Sequence, residues 1–278
     1  MNKRASGIRY ALLSVGVLIT VIPMLYMILS SLKENKSTFS YPPRLFPGMD
    51  EITSSNYVYI FKNVNFNQYL VNTLVVAFAT VCIAALFSSL LAYSFARFGF
   101  PGKRAIYSMI IAVMLIPGLA MIIPQFEMAV RFRLINNLWG VILFYAAWVT
   151  PFSTFLLRGY IEDHVPRELD EAMYMDGGNL FKVYRHVMIP LTAPAIAAIS
   201  ILNFLFPFEE LGWSQTLLKA DELRTFPVAI TMFFQAHNRT DWGYVFAMTT
   251  LSMIPVVVFY LILQRYFISG LSSGSIKG

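Results

Sequence analysis

Side chains able to do chemistry are sparse in this sequence, and they gather in one place. Six of the fifteen acids, Glu162, Asp163, Glu168, Asp170, Glu171 and Asp176, lie in or just before the stretch 166–194. Pro166 suits the first turn of a helix, where its missing N–H costs nothing, and acids favour that end. Gly177 and Gly178 fit a left-handed C-cap. Asn179 can cap a second helix over 180–188, with Pro190 closing it. Leu169, Ala172, Met173 and Asp176 share one face of the first helix, and Phe181, Tyr184 and Met188 one face of the second. Two uses fit: an amphipathic loop lying on the membrane or on its own bundle, or a small helix offered to a soluble partner's groove.

A second set of candidates follows. Asn203, Glu209 and Glu210 are polar residues of an otherwise apolar run, with Phe204, Phe206, Phe208 and Trp213 nearby. Polar groups beside aromatic faces suit a carbohydrate, so Asn203, Phe204, Phe208, Glu209, Glu210 and Trp213 form a candidate substrate path. The competing account makes the two acids solvated charges at a span end, where the cost of an intramembrane acid falls. His164, His186 and His237 show no helical metal spacing, so no metal site is expected. Cys82, the single cysteine, is expected to be a small buried apolar residue. Gly99, Gly102 and Lys103 lack the spacing and the following Ser or Thr of a phosphate-binding loop. No ATP site of this kind is expected in the chain.

These residues must be held by membrane-spanning helices. Of 278 residues 57% are hydrophobic and 13% charged, about half the charge of a soluble domain. The net charge of +6 comes from scattered basic residues, which read as topology signals and not as a nucleic-acid surface. Apolar runs near 9–32, 70–94, 105–127, 138–158, 191–213 and 244–265 are each about long enough to cross a bilayer as a helix. The expectation is one all-α, polytopic, six-span domain over 1–278, with a loop near 159–190 between spans four and five. Basic residues concentrate in the short loops beside both termini, Arg97, Lys103, Arg104, Arg158, Arg167, Lys182 and Arg185 among them. The positive-inside rule therefore puts both termini in the cytoplasm of a bacterial cell with a multi-pass inner-membrane protein. Proline inside the spans (Pro117, Pro124, Pro207, Pro255) predicts kinks, and 55–62 reads as a short interfacial helix.

The run Glu171-Ala172-Met173-Tyr174-Met175-Asp176-Gly177-Gly178, followed by Val187-Met188-Ile189-Pro190, resembles the EAA loop of ABC-importer permeases. It departs at Met173, where the family usually has alanine, and at Val187. Asn72-Thr73, the stretch 92–103, 151–158 and the tail 270–278 resemble the maltose-type carbohydrate permeases, in their short-tailed form. The resemblance implies a type I importer permease fold and a pore-forming subunit for a sugar or oligosaccharide, not an enzyme. It implies a heterodimer with a second, homologous permease, two ATPase subunits that carry ATP and Mg2+, and a periplasmic or lipid-anchored solute-binding protein. Glu171, Ala172, Met173, Asp176, Gly177 and Pro190 would couple to the ATPase, and Ser275, Ile276 and Lys277 of the tail would touch it. An ion-gradient-driven secondary transporter and a non-transporting membrane anchor are the rival readings.

Overall fold

The computed structural model describes residues 3–34, 38, 48, 51–234 and 240–274. The tail residues Ser275, Ile276 and Lys277 lie outside the described residues, as does His237. Helices are the regular structure of the described chain, joined by one isolated antiparallel bridge between Lys33 and Ile52. Among the described residues five helices are long and apolar enough to cross a membrane, and a sixth span is counted if one bent pair is taken together.

The chain forms two compact units, the first from 1–67 with 229–254 and the second from 68–228 with 255–278. In the first unit α1 (Lys3–Ser31) supplies an apolar stretch with none of its span window buried. Such a surface belongs against lipid or another chain. Its last carbonyls need partners, as at any helix end. Asn56, buried on α2 (Ser55–Asn63), donates from Nδ2 to the carbonyls of Ser31 at 2.8 Å and Lys33 at 2.7 Å. The short helix expected at 55–62 is thus present, and it clamps the end of α1. Tyr59 of α2 stacks on Tyr244 at 4.2 Å.

In the second unit α3 (Phe66–Arg97) is the longest span. Cys82 is exposed on it, contrary to expectation, because it falls on the stripe of α3 that turns away from the bundle. The third expected span, 105–127, is divided. α4 (Lys103–Val113) ends in three successive i→i−3 bonds, from Met114, Leu115 and Ile116. Pro117 then adopts an extended backbone and has no N–H to continue the ladder. A short turn at Gly118–Met121 leads into α5 (Ile122–Arg131), bent by 100° from α4. A proline kink alone is much gentler. Gly118 lets the turn approach Trp148, since a Cβ there would lie 3.2 Å from the indole.

α6 (Leu138–His164) is the most buried span and runs out to the charged loop. α7 (Glu168–Met175) and α8 (Leu180–Val183) form that loop, and α9 (Ile189–Glu209) is the fifth span. α10 (Gly212–Leu217), α11 (Phe226–Ile230) and α12 (Trp242–Gly274) complete the chain. One buried cluster joins Ala92, Tyr93 and Ala96 of α3 to Leu157 and Ile161 of α6, and to Val183, Val187 and Met188 near the loop. That cluster is the platform on which the loop rests.

Candidate functional site

α7 begins at Glu168 with Arg167 as its N-cap, so the exposed Pro166 lies just outside the helix and not in its first turn as expected; Glu168, Asp170 and Glu171 occupy that turn. It ends in a Schellman motif: Gly178 N–H donates to Met173 O at 2.8 Å and Gly177 N–H to Tyr174 O at 3.0 Å. Gly177 carries φ +76°, the left-handed conformation anticipated for it, with open space around its absent side chain. Gly178 is needed for a different reason. A Cβ there would lie 2.5 Å from Met173 O. Asn179 caps α8 by accepting from Lys182 N–H at 2.9 Å.

The second helix does not stop at Pro190. α8 passes through a π-helical turn, Tyr184–Met188, straight into α9, with Pro190 in the first turn of that helix. The reason is steric. In an α-helix the proline ring would press on the carbonyl four residues back, His186 O. The wider turn, whose closing bond runs from Ile189 N–H to Tyr184 O, removes that clash. Tyr184 also bonds Ser89 on α3 through their hydroxyls at 2.7 Å.

α7 does not lay the shared face of Leu169, Ala172 and Asp176 on its own bundle, the first of the two uses that fit its sequence. Leu169, Ala172 and Asp176 are exposed, whereas Asp170 is 7% exposed and Met173 packs half-buried on the cluster beneath. Asp170 Oδ2 lies 2.8 Å from Arg97 Nε, and both side chains are almost wholly buried. Arg97 is the last residue of α3. Its Nη2 also donates to Val165 O at 2.7 Å, while Arg167 Nη2 donates to Ala96 O at 3.2 Å. Two arginines thus knot the start of α7 to the end of α3. Burial pushes the Asp170 carboxyl above the usual range, against the opposing pull of Arg97 and Arg167. These partners were missed because Arg97 reads as a span-end charge, and 73 residues separate it from Asp170. The spacing of Asp170 and Met173, three apart, was the available signal.

Glu171, Ala172 and Asp176 therefore line the outward face, beside Tyr174 and Met175, which are exposed although apolar. Pro190 is exposed at the foot of α9.

Of the six path candidates, the structure pairs Phe204 with Phe208 and Glu210 with Trp213. Asn203 is buried and bonded to Ser153 on α6 at 3.1 Å. Phe204 is buried and stacked on Phe259 of α12 at 3.9 Å, with Phe208 beside it. Glu209 is exposed. Glu210 works as a helix cap: its carboxylate accepts from Trp213 N–H at 2.8 Å and Ser214 N–H at 3.3 Å, and from the Tyr145 hydroxyl. Trp213 packs edge-on against Trp148, with centroids 5.1 Å apart, inside a second buried cluster. Among the described residues no group of three His, Cys, Asp or Glu is placed to hold a metal ion.

Residues 84–273 match the family described as binding-protein-dependent transport system inner membrane component. The chain is 28% identical to the trehalose/maltose transport system permease protein MalG of Thermococcus litoralis, over 99% of both chains. It is 30% identical to the diacetylchitobiose uptake system permease protein NgcG of Streptomyces coelicolor, over 99% of this chain and 90% of that one. It is also 30% identical to the trehalose transport system permease protein SugB of Mycobacterium tuberculosis, over 93% of each. Among solved structures, a chain of a bacterial ABC transporter involved in import of the acidic polysaccharide alginate superposes with a TM-score of 0.78. Its identity is 25%, over 95% of this chain and 97% of that one.

Proposed function

The chain belongs to the family of binding-protein-dependent transport system inner membrane components, and from that premise we propose that it is the pore-forming permease of an ATP-driven importer for a sugar or oligosaccharide. The relatives' named solutes, trehalose, maltose and diacetylchitobiose, support the carbohydrate class. The observation that carries the coupling role is the posture of α7. Its polar Asp170 is turned inward and clasped, while Glu171, Ala172, Tyr174 and Met175 are turned out. Outward apolar groups on a charged loop between spans call for a partner surface to cover them.

In this reading α7 sits in a groove on an ATPase subunit that holds ATP and Mg2+. Closure of the ATPase pair pulls on α7, and the clasp passes the pull to α3, while the continuous α8–α9 passes it to the fifth span. Glu171, Ala172, Met173, Asp176, Gly177 and Pro190 serve as mechanical residues. The chain works beside a second, homologous permease as a heterodimer, and receives solute from a binding protein outside the membrane. Both termini lie in the cytoplasm, and Ser275, Ile276 and Lys277 reach the ATPase. Asn203, Phe204, Phe208, Glu209, Glu210 and Trp213 are assigned to scaffolding more than to solute, given the hydrogen bonds or ring contacts that all but Glu209 already make.

The test is a pull-down of an ATPase subunit by the full chain, with and without changes at 171–177, alongside sugar uptake. Loss of both on substituting the outward residues is expected. An ATPase subunit retained by a variant altered throughout 171–177 would sink the reading. The ligand that stabilises the cognate binding protein in a thermal-shift screen names the sugar.

A further inference from the structure

Two clefts lie at the end of the bundle where α4 begins and α6 ends, apart from the loop's seat. The larger, about 900 Å3, is lined by Lys103, Arg104, Arg158, Tyr107 and Phe100. The smaller, about 500 Å3, shares Tyr107 and Arg158 and is bounded by Tyr160, Glu162, Asp163 and His164. Cations thus line the larger cleft, and the acids line the smaller one, with Glu162 paired to the shared Arg158. Two of the cations are held in place. Arg158 lies over the Tyr107 ring at 4.0 Å, with its Nε held by Glu162 at 2.9 Å. With Tyr107 also bonded to the guanidinium, further terminal N–H groups remain for another acceptor. Lys103 Nζ donates to Phe98 O at 2.9 Å and retains two further N–H bonds. Arg104 is exposed.

The second observation is apolar. Further along the same two helices is a cleft of about 190 Å3 lined by Val113, Met114, Trp148, Pro151 and Phe152. At about 1.5 Å per residue, Val113 lies roughly 15 Å along α4 from Lys103. Exposed Ile106 and Met109 on α4 and exposed Phe155 on α6 fall between the charged and apolar ends in sequence.

We propose that this is a binding site for an anionic phospholipid, with its phosphate among Lys103, Arg104 and Arg158 and one acyl chain directed toward the apolar cleft. A charged rim above an apolar run along a membrane span is complementary to an amphiphile. A free anion would use the rim alone. Basic pockets between spans bind acidic headgroups by this chemistry, and a tyrosine at the rim suits the interface. The proposal rests on the chain spanning a membrane and not on its role in transport.

The test is native mass spectrometry of the full chain in detergent, mixed with phosphatidylglycerol or phosphatidylcholine. Preferential retention of phosphatidylglycerol is expected. Affinity should fall about fivefold for each charge removed in Lys103→Gln, Arg104→Gln and Arg158→Gln. Arg131→Gln, a cation outside the cleft, should change nothing. Arg104→Gln alters an exposed side chain, so its result stands even where the other variants fold poorly. Equal retention of the two lipids, or full retention by Arg104→Gln and the triple variant, overturns the proposal. Release of phosphatidylglycerol by excess inorganic phosphate shows a free-anion site and overturns it too. Exclusion of lipid when partner subunits bind, with no retention by the assembled complex, assigns the cleft to a protein contact instead.

Discussion

Asp170→Ala is the sharpest perturbation of the loop's seat. At 2.8 Å and an effective dielectric of about 20, the two charges attract by about 6 kcal/mol before desolvation opposes them. The raised carboxyl pKa indicates that burial outweighs the pairing. Net worth therefore comes from what removal leaves behind, not from the pair itself. With alanine at 170, Arg97 keeps its bond to Val165 O but its buried Nε faces no oxygen, which costs about 3 kcal/mol. The seated population of α7 should then fall by about 150-fold. Hydrogen exchange at the amides of 171–176 reads this directly, and the ratio of solute moved to ATP hydrolysed in reconstituted vesicles reads its consequence. Asp170→Asn, which keeps an oxygen beside Arg97, should lose far less. The double change Arg97→Leu/Asp170→Leu should restore much of the protection, because an apolar pair needs no counter-charge. Unchanged exchange and an unchanged transport ratio in Asp170→Ala would refute the clasp as a coupling element. A double variant worse than either single one would refute the electrostatic account of it.

The same group sets a pH dependence. The seated carboxyl titrates above its unseated value, so its protonation contributes stability that is fully present below the unseated pKa and lost as pH rises through the seated one. Mild acidification from neutral pH should therefore tighten α7 or leave it unchanged, as intrinsic-rate-corrected exchange will show; loosening would contradict the raised pKa. Gly177→Val should keep the protein in the membrane but abolish solute-stimulated ATP hydrolysis, since φ +76° costs a β-branched residue roughly 1–3 kcal/mol. Gly177→Asn, tolerant of that φ, should retain most of the stimulation. Asn56→Ala leaves two buried carbonyls without their donor and should lower stability in detergent by about 2 kcal/mol, measured by thermal unfolding.

Much of the architecture is legible in the residues because lipid demands it. Apolar runs of spanning length, the helix at Ser55–Asn63 and the Gly177-Gly178 cap each follow from local chemistry. What escapes the sequence depends on distance or on steric balance. Proline at 117 predicts a kink, but a 100° bend also needs Gly118 to fit beside Trp148. Pro190 predicts a stop, yet widening one turn is enough to carry the helix past it. Glu210 looks like a solvated or solute-facing acid until α10 folds back and places its amide groups over the carboxylate. Which side of α7 packs inward is not legible, because a buried Asp170 makes sense only once Arg97 stands beneath it.

The run from Leu180 through Glu209 counts as one span of 30 residues, a rod about 45 Å long. A rod transmits tilt with gain: turning its loop end by about ten degrees sweeps the far end through roughly 8 Å. The π turn adds a second freedom, since closing it to α geometry would slip the register by one residue and rotate everything beyond it by about 100°. The fifth span is then both a lever and a screw, with its thread cut at Tyr184–Met188. Distances between spin labels at its two ends, taken with and without ATP, separate the two motions: tilt of the rod leaves that distance unchanged, whereas closing the π turn shifts it in a single step.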